Sequence, residues 1–282
     1  MVPHPAVFRT LVSTAELAAH LATWRVFDCR HDLAKPGLGE AQYREGHVPG
    51  ALFAHMDRDL SAPKDGSNGR HPLPDRGAFV AWLGQQGLRP GDQVVCYDQS
   101  NGVMASRLWW MLRSVGHEAV AVLDGGLARW RAEGRPVDAA IPRPSHTSYQ
   151  VRRWPDMHVD VGTVAGNLGK LLLVDARAPA RYRGEQEPID PEAGRIPGAK
   201  NRFSSENVNA DGTFKPADVL RRELQSVLGG RKPEETVHYC GSGVAACHNL
   251  LAMELAGLAG GRLYAGSWSE WIADPLRPRE KD

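Results

Sequence analysis

Apolar residues in this chain fall in short runs separated by longer stretches with helical spacing. Arg25 to Asp28, Gln93 to Tyr97, Leu171 to Asp175 and Thr236 to Tyr239 are such runs, each only four or five residues long. Runs this short, bounded by Gly and Pro, predict buried strands. Between them, Asp75 to Gln86, Ala217 to Leu228 and His248 to Leu255 space their apolar positions as helices do. Ser13 with Glu16 three residues later, and Asp160 in the second half, read as helix caps. Strands that alternate with helices predict an α/β fold with mainly parallel, helix-covered sheets.

The pattern occurs twice. Val26-Phe-Asp-Cys-Arg30 returns 147 residues later as Leu173-Val-Asp-Ala-Arg177, and Val12 to Leu17 matches Val159 to Val164 at the same offset. Gly46-His-Val-Pro-Gly-Ala51 matches Gly194-Arg-Ile-Pro-Gly-Ala199. Val95-Cys-Tyr97 matches Val237-His-Tyr239, and Gly125 to Trp130 matches Gly266 to Trp271. The order is the same in both halves, so a unit of about 130 residues is duplicated. The Pro-, Ser-, Thr- and Arg-rich stretch from Asp138 to Arg153 reads as the linker. It divides the chain near residue 145, into domains 1–145 and 146–282.

Composition narrows the function. The 282 residues are 42% hydrophobic and 24% charged, with 34 Lys plus Arg against 33 Asp plus Glu. That is globular composition, without the basic excess of a nucleic-acid groove. No apolar run approaches the ~20 residues of a membrane span. Met1 to Thr14 lacks the cationic start and long apolar core of a secretory signal, so a cytoplasmic location is expected. The four cysteines, Cys29, Cys96, Cys240 and Cys247, fit no zinc spacing, and neither a metal nor a cofactor is expected. Three of them read as buried free thiols, Cys247 included.

Cys240 is the exception. It follows the strand ending at Tyr239 and is succeeded by Gly241-Ser-Gly-Val-Ala-Ala246 and then a helix. A strand-to-helix loop at the carboxyl edge of a parallel sheet is where such folds bind ligands. Small residues let the backbone N–H groups of Gly241, Gly243, Val244 and Ala245 turn inward, and the helix adds its positive end. Both effects favour a thiolate, and both would hold a sulfur anion attached to it. In the first half, Asp98 stands where Cys240 stands.

The paired Pro-Gly-Ala turns, Trp109-Trp110, Leu123-Asp-Gly-Gly126, Cys240-Gly-Ser-Gly-Val244 and Gly266-Ser-Trp-Ser-Glu-Trp271 resemble the tandem rhodanese sulfurtransferases over nearly the whole chain. The resemblance implies two rhodanese-like domains, the first inactive and the second catalytic. It also implies a site in the cleft between them and a persulfide on the catalytic cysteine. The uncharged Gly241-Ser242 loop resembles the 3-mercaptopyruvate branch. It would compensate dianionic thiosulfate poorly, whereas the Ser242 hydroxyl could hydrogen-bond a thiol or keto group. The expected activity is sulfur transfer from 3-mercaptopyruvate, a small-molecule donor, to a thiol, a thioredoxin-like protein or cyanide.

A donor carboxylate calls for a cation, and arginine offers a bidentate fork. The resemblance points to Arg181 in Ala180-Arg-Tyr-Arg183, with Arg183 and Arg195 as further candidates. The second arginine usual in that branch falls on Asp190 here, a departure. A proton relay to the loop serine would come from His71, in Gly69-Arg-His-Pro-Leu-Pro74. Its usual acidic companion aligns with His55, leaving Asp57 or Asp59 to stand in. Arg30 and Arg177, each two residues past a strand-end aspartate, read as structural pairs. Three rival readings stay open. Thiosulfate could be the main donor. The chain could be a non-enzymatic rhodanese-like binding or sensing module. A phosphatase-like loop would need an arginine six residues after the cysteine, where Ala246 stands.

Overall fold

Strands form where the short apolar runs stand, because each run is buried on both faces. A computed structural model describes residues 7–151 and 153–282, so the first six residues of the N-terminal stretch and linker residue 152 lie outside it. The first sheet contains β1 (Leu11–Val12), β2 (Arg25–Asp28), β3 (Leu52–Phe53), β4 (Val94–Tyr97) and β5 (Val120–Leu123) in the order β1-β5-β4-β2-β3. The second contains β6 (His158–Val159), β7 (Leu172–Asp175), β8 (Lys200–Asn201), β9 (Thr236–Tyr239) and β10 (Arg262–Tyr264) in the order β6-β10-β9-β7-β8. Every pairing is parallel. The fold is α/β, and the duplication extends to strand order. β1, β3, β5, β6, β8 and β10 have no counterpart among the predicted runs. Four of them are two residues long, too short for any periodicity.

The chain divides into two compact units. One holds the chain up to His55 together with Arg76–Pro155; the other holds Met56–Asp75 and Asp156–Asp282. The segment from 56 to 75 thus packs with the second unit although it lies in the first half of the sequence. Each unit has its own core. Val26, Val95, Tyr97, Leu123 and Trp130 centre the first, and Leu173, Val237, Tyr239, Tyr264, Trp268 and Trp271 the second. Each buried aliphatic side chain contributes about 1.5–3 kcal/mol.

Local chemistry follows the expected signals. Ser13 and Glu16 form a reciprocal capping box, and the Asp160 carboxylate accepts from Thr163 N–H at 2.7 Å. The helix Ala217–Leu228 has the predicted bounds, and Arg76–Gln85 falls within its predicted range. The helix after Cys240 is longer than predicted. It spans Ala245–Leu255, because two alanines with high helix propensity follow directly on the turn at Gly243. Arg30 and Arg177 are buried and make forked bonds to Asp28 and Asp175. Their guanidiniums also reach the carbonyls of Gly46 and Gly194, which fastens each strand end to the following turn.

Candidate active site

The loop after β9 is shaped by one glycine and gripped by one strained serine. Gly243 has φ +75°, and a Cβ there would lie 2.3 Å from the Ala265 carbonyl oxygen, so no other residue fits. This turn aims the N–H groups of Ser242 and Gly243 at Cys240 Sγ, at 3.5 and 3.1 Å. Cys240 itself is 3% exposed. Its own N–H donates to Ser267 Oγ at 3.1 Å, and that hydroxyl donates to the Tyr264 carbonyl. Ser267 holds φ 57°, unusual for a residue with a side chain. The N–H groups of Trp268 and Ser269 donate to the carbonyls of Cys240 and Gly241, both at 3.0 Å. Cys240 is therefore presented by a loop tied down on both flanks.

The segment from 56 to 75 brings two side chains to this loop. Gly69 packs against the turn at Gly266, where an added Cβ would come within 2.8 Å of the carbonyl oxygen. Arg70 N–H donates to Ser269 Oγ at 3.0 Å. Thus anchored, His71 is buried with Nδ1 2.8 Å from Ser242 Oγ. Its Nε2 lies 3.5 Å from Asp57 Oδ1. Of the two candidate acidic companions, Asp57 is the one beside His71; Asp59 pairs with Arg58 at 3.1 Å. His55 belongs to the other unit and packs its ring against Phe53 and His31.

Arg181 also lies at the loop. Its guanidinium binds Glu187 through Nε and one terminal nitrogen, and that nitrogen also reaches Asp190 at 2.9 Å. A Cβ built on Gly241 would sit 3.4 and 3.6 Å from the two terminal nitrogens of Arg181. It would sit 2.6 Å from a terminal nitrogen of Arg70. Arg70 was absent from the candidates, although its place next to His71 was the available signal. It is ion-paired with Asp190. Burial draws its pKa below the ordinary value; the Cys240 side chain opposes this and the neighbouring Arg181 adds to it. Lys64, Gly69, Arg70, Ile189, Asp190 and Ser269 line a cleft of about 310 Å³.

The remaining candidates are placed elsewhere. Arg183 is exposed and pairs with Glu185 at 2.7 Å. Arg195 stacks on Tyr182, exchanges backbone hydrogen bonds with Glu280, and pairs with Glu280 and Asp282. Neither touches the Cys240 loop among the described residues; acidic neighbours engage both. Cys247 is fully buried, its Sγ 3.2 Å from the Gly243 carbonyl oxygen.

A model of the rhodanese-like domain matches residues 13–133 and again 161–274. A relative from Pseudomonas aeruginosa, named "Probable 3-mercaptopyruvate sulfurtransferase", is 46% identical over 95% of this chain and 96% of its own. A thiosulfate sulfurtransferase of Cricetulus griseus is 34% identical over 95% of this chain and 94% of its own. The solved structure of 3-mercaptopyruvate sulfurtransferase from Leishmania major matches with a TM-score of 0.83 and 31% identity. That match spans 98% of this chain and 76% of the other.

Proposed function

The chain belongs to the rhodanese-like family, as two such domains in tandem, and from that premise we propose that it is a 3-mercaptopyruvate sulfurtransferase acting through Cys240. One observation carries the reading. A buried cysteine sulfur accepts two loop N–H groups, with the Ser242 hydroxyl and His71 imidazole in contact beside it.

The Cys240 thiolate attacks the sulfur of 3-mercaptopyruvate, whose thiol proton passes to His71. A sulfur–sulfur bond forms, the donor's carbon–sulfur bond breaks, and its electron pair leaves as the enolate of pyruvate. The enolate takes a proton from the Ser242 hydroxyl, which His71 replenishes while Asp57 steadies the imidazolium. The loop N–H groups hold the negative charge of the outer sulfur, a fixed electrostatic arrangement that needs no reorganisation. Arg181 orients the donor's carboxylate. In the second half-reaction an acceptor thiolate, a thioredoxin-like protein or cyanide attacks the outer sulfur and releases the Cys240 thiolate. Four buried free cysteines support a reducing, cytoplasmic setting.

The test is kcat/KM for 3-mercaptopyruvate and for thiosulfate with one fixed thiol acceptor. A preference for 3-mercaptopyruvate that vanishes in Cys240→Ser is expected. A preference for thiosulfate would transfer the reading to that donor, and turnover of neither would overturn the enzymatic reading.

A further inference from the structure

Each unit fastens the segment that follows it in the same way, but with a different side chain. In the second unit Arg195 and Glu280 exchange backbone N–H to carbonyl bonds in both directions, at 2.9 and 3.0 Å. The Arg195 guanidinium lies 4.5 Å over the Tyr182 ring, donates to the Tyr182 carbonyl at 3.4 Å, and pairs with Glu280 and Asp282. In the first unit His47 and Asp138 exchange the same two backbone bonds, at 2.9 and 3.1 Å. The His47 ring stacks on Tyr43 with centroids 4.1 Å apart. The tyrosines match as well, since their hydroxyls donate to the carbonyls of Ala51 and Ala199 in the paired Pro-Gly-Ala turns. His47 thus stands where the second unit has a permanent cation facing carboxylates.

The surroundings of the imidazole favour the same charge. His47 is fully buried. Its Nδ1 lies 2.7 Å from the Tyr43 carbonyl oxygen. Its Nε2 lies 3.2 Å from the Ala140 carbonyl oxygen and 3.4 Å from Asp138 Oδ1. All three oxygens are acceptors. A neutral imidazole has one N–H and would turn a lone pair on oxygen at its other nitrogen, whereas an imidazolium donates from both. Stacking on a tyrosine ring also favours the cation. Besides Asp138 and Tyr43, the guanidiniums of Arg30 and Arg131 approach this turn. Both donate to the Gly46 carbonyl, and Arg30 is closed on Asp28. Burial, with Asp28 and Asp138 nearby, pushes the Tyr43 pKa up to about 12, so its hydroxyl stays neutral while a histidine titrates.

We infer that His47 is an imidazolium when this clamp is closed, and that loss of its proton releases the root of the linker. Trp130 Nε1 donates to the Pro136 carbonyl at 2.7 Å, and the Thr147 N–H donates to the Gly84 carbonyl at 2.8 Å. Residues 137–146 lie between these anchors, so an open clamp frees that stretch. The proton stabilises the closed form. Closure is therefore strongest at low pH and is lost as pH rises through the histidine's titration. The second unit, held by an arginine, has no such dependence. The inference is independent of the activity read from Cys240.

The experiment follows the full chain by NMR from about pH 5 to pH 9, a range that brackets histidine titration. The ring nitrogens of His47 are observed by ¹⁵N labelling, and backbone amide exchange is corrected for its intrinsic pH dependence. At the acid end both ring nitrogens of His47 are expected to carry protons. Protection of the Asp138 amide is expected to fall by about tenfold or more towards the alkaline end, the loss of one charge-assisted bond. The Glu280 amide, the internal control, keeps its protection throughout. His47→Arg, which copies the second unit, holds the Asp138 amide protected at every pH. His47→Gln, a neutral donor, leaves it poorly protected at every pH. Local exchange is read rather than global unfolding because the buried His238 acts on overall stability with the opposite sign. A single ring N–H on His47 in the folded parent at about pH 5, or an Asp138 amide as insensitive to pH as that of Glu280, overturns the inference. Neither reading needs a variant to fold.

Discussion

The two halves build the same loop around different side chains. After β4, the Asp98 carboxylate accepts the N–H groups of Ser100, Gly102, Met104 and Ala105, at 2.8–3.3 Å. After β9, Cys240 Sγ accepts those of Ser242 and Gly243 and no other N–H among the described residues. The supports beneath are alike. Leu127 and Ala128 donate to the carbonyls of Asp98 and Gln99, as Trp268 and Ser269 do to Cys240 and Gly241. Both loops rest on a residue in the left-handed region, Gly126 at φ +58° and Ser267 at φ 57°. Only the serine has a hydroxyl, and it accepts the N–H of Cys240. The lesson is that the nest itself is shared and its contents decide the role. In the first unit a carboxyl group fills it. In the second, a thiol leaves room for a transferable sulfur.

The largest expected effect breaks the second loop. Cys240→Ser lowers turnover by at least about a thousandfold, since the attacking atom is gone. Adding Asp98→Cys does not restore it, because Ser100, which stands in the place of Ser242, has no histidine beside it among the described residues. Coupled assays on the single and double variants check both statements. Next, His71→Asn lowers kcat with 3-mercaptopyruvate by about a hundredfold, the size of a general acid–base contribution. It leaves cyanide attack on a preformed persulfide much less affected, which single-turnover measurements separate.

Asp98→Ala tests the other loop and acts on stability. It orphans four N–H groups, two of them buried, so urea unfolding is expected to show a loss of about 3 kcal/mol, while turnover per folded molecule is kept. The smallest effect contrasts the strands beneath the loops, where His238 occupies the place of Cys96. Burial pulls the His238 pKa down to about 4 from an ordinary 6.5. The unfolded chain therefore binds the extra proton first, and stability falls as pH drops from 6.5 towards 4. The full difference is about 3 kcal/mol. His238→Gln flattens that acid limb, which denaturant titrations at pH 7 and pH 5 would detect.

Much of this was legible before any coordinates. The fold class follows from four short runs and their duplication, and Cys240 from its place after a buried strand. His71 is drawn from the resemblance, and the structure puts it beside Ser242. Other features depend on the tertiary path of the chain. That residues 56–75 pack with the second unit leaves no mark on local composition, so only its place next to His71 sets Arg70 apart from other loop arginines. Asp190 registered only as a departure, because its two partners lie 9 and 120 residues away in sequence. Arg195 and Arg183 were plausible by residue type alone. Their acidic partners, two of them at the chain end, give them other work.

The central claim is that sulfur rests on Cys240 between two half-reactions. Its most direct test is mass spectrometry of the chain after exposure to 3-mercaptopyruvate without acceptor, followed by peptide mapping. One added sulfur atom on the peptide carrying Cys240, removed by cyanide and absent in Cys240→Ser, is the predicted result. An unmodified Cys240 during active turnover, or the added sulfur on Cys29, Cys96 or Cys247 instead, would contradict it.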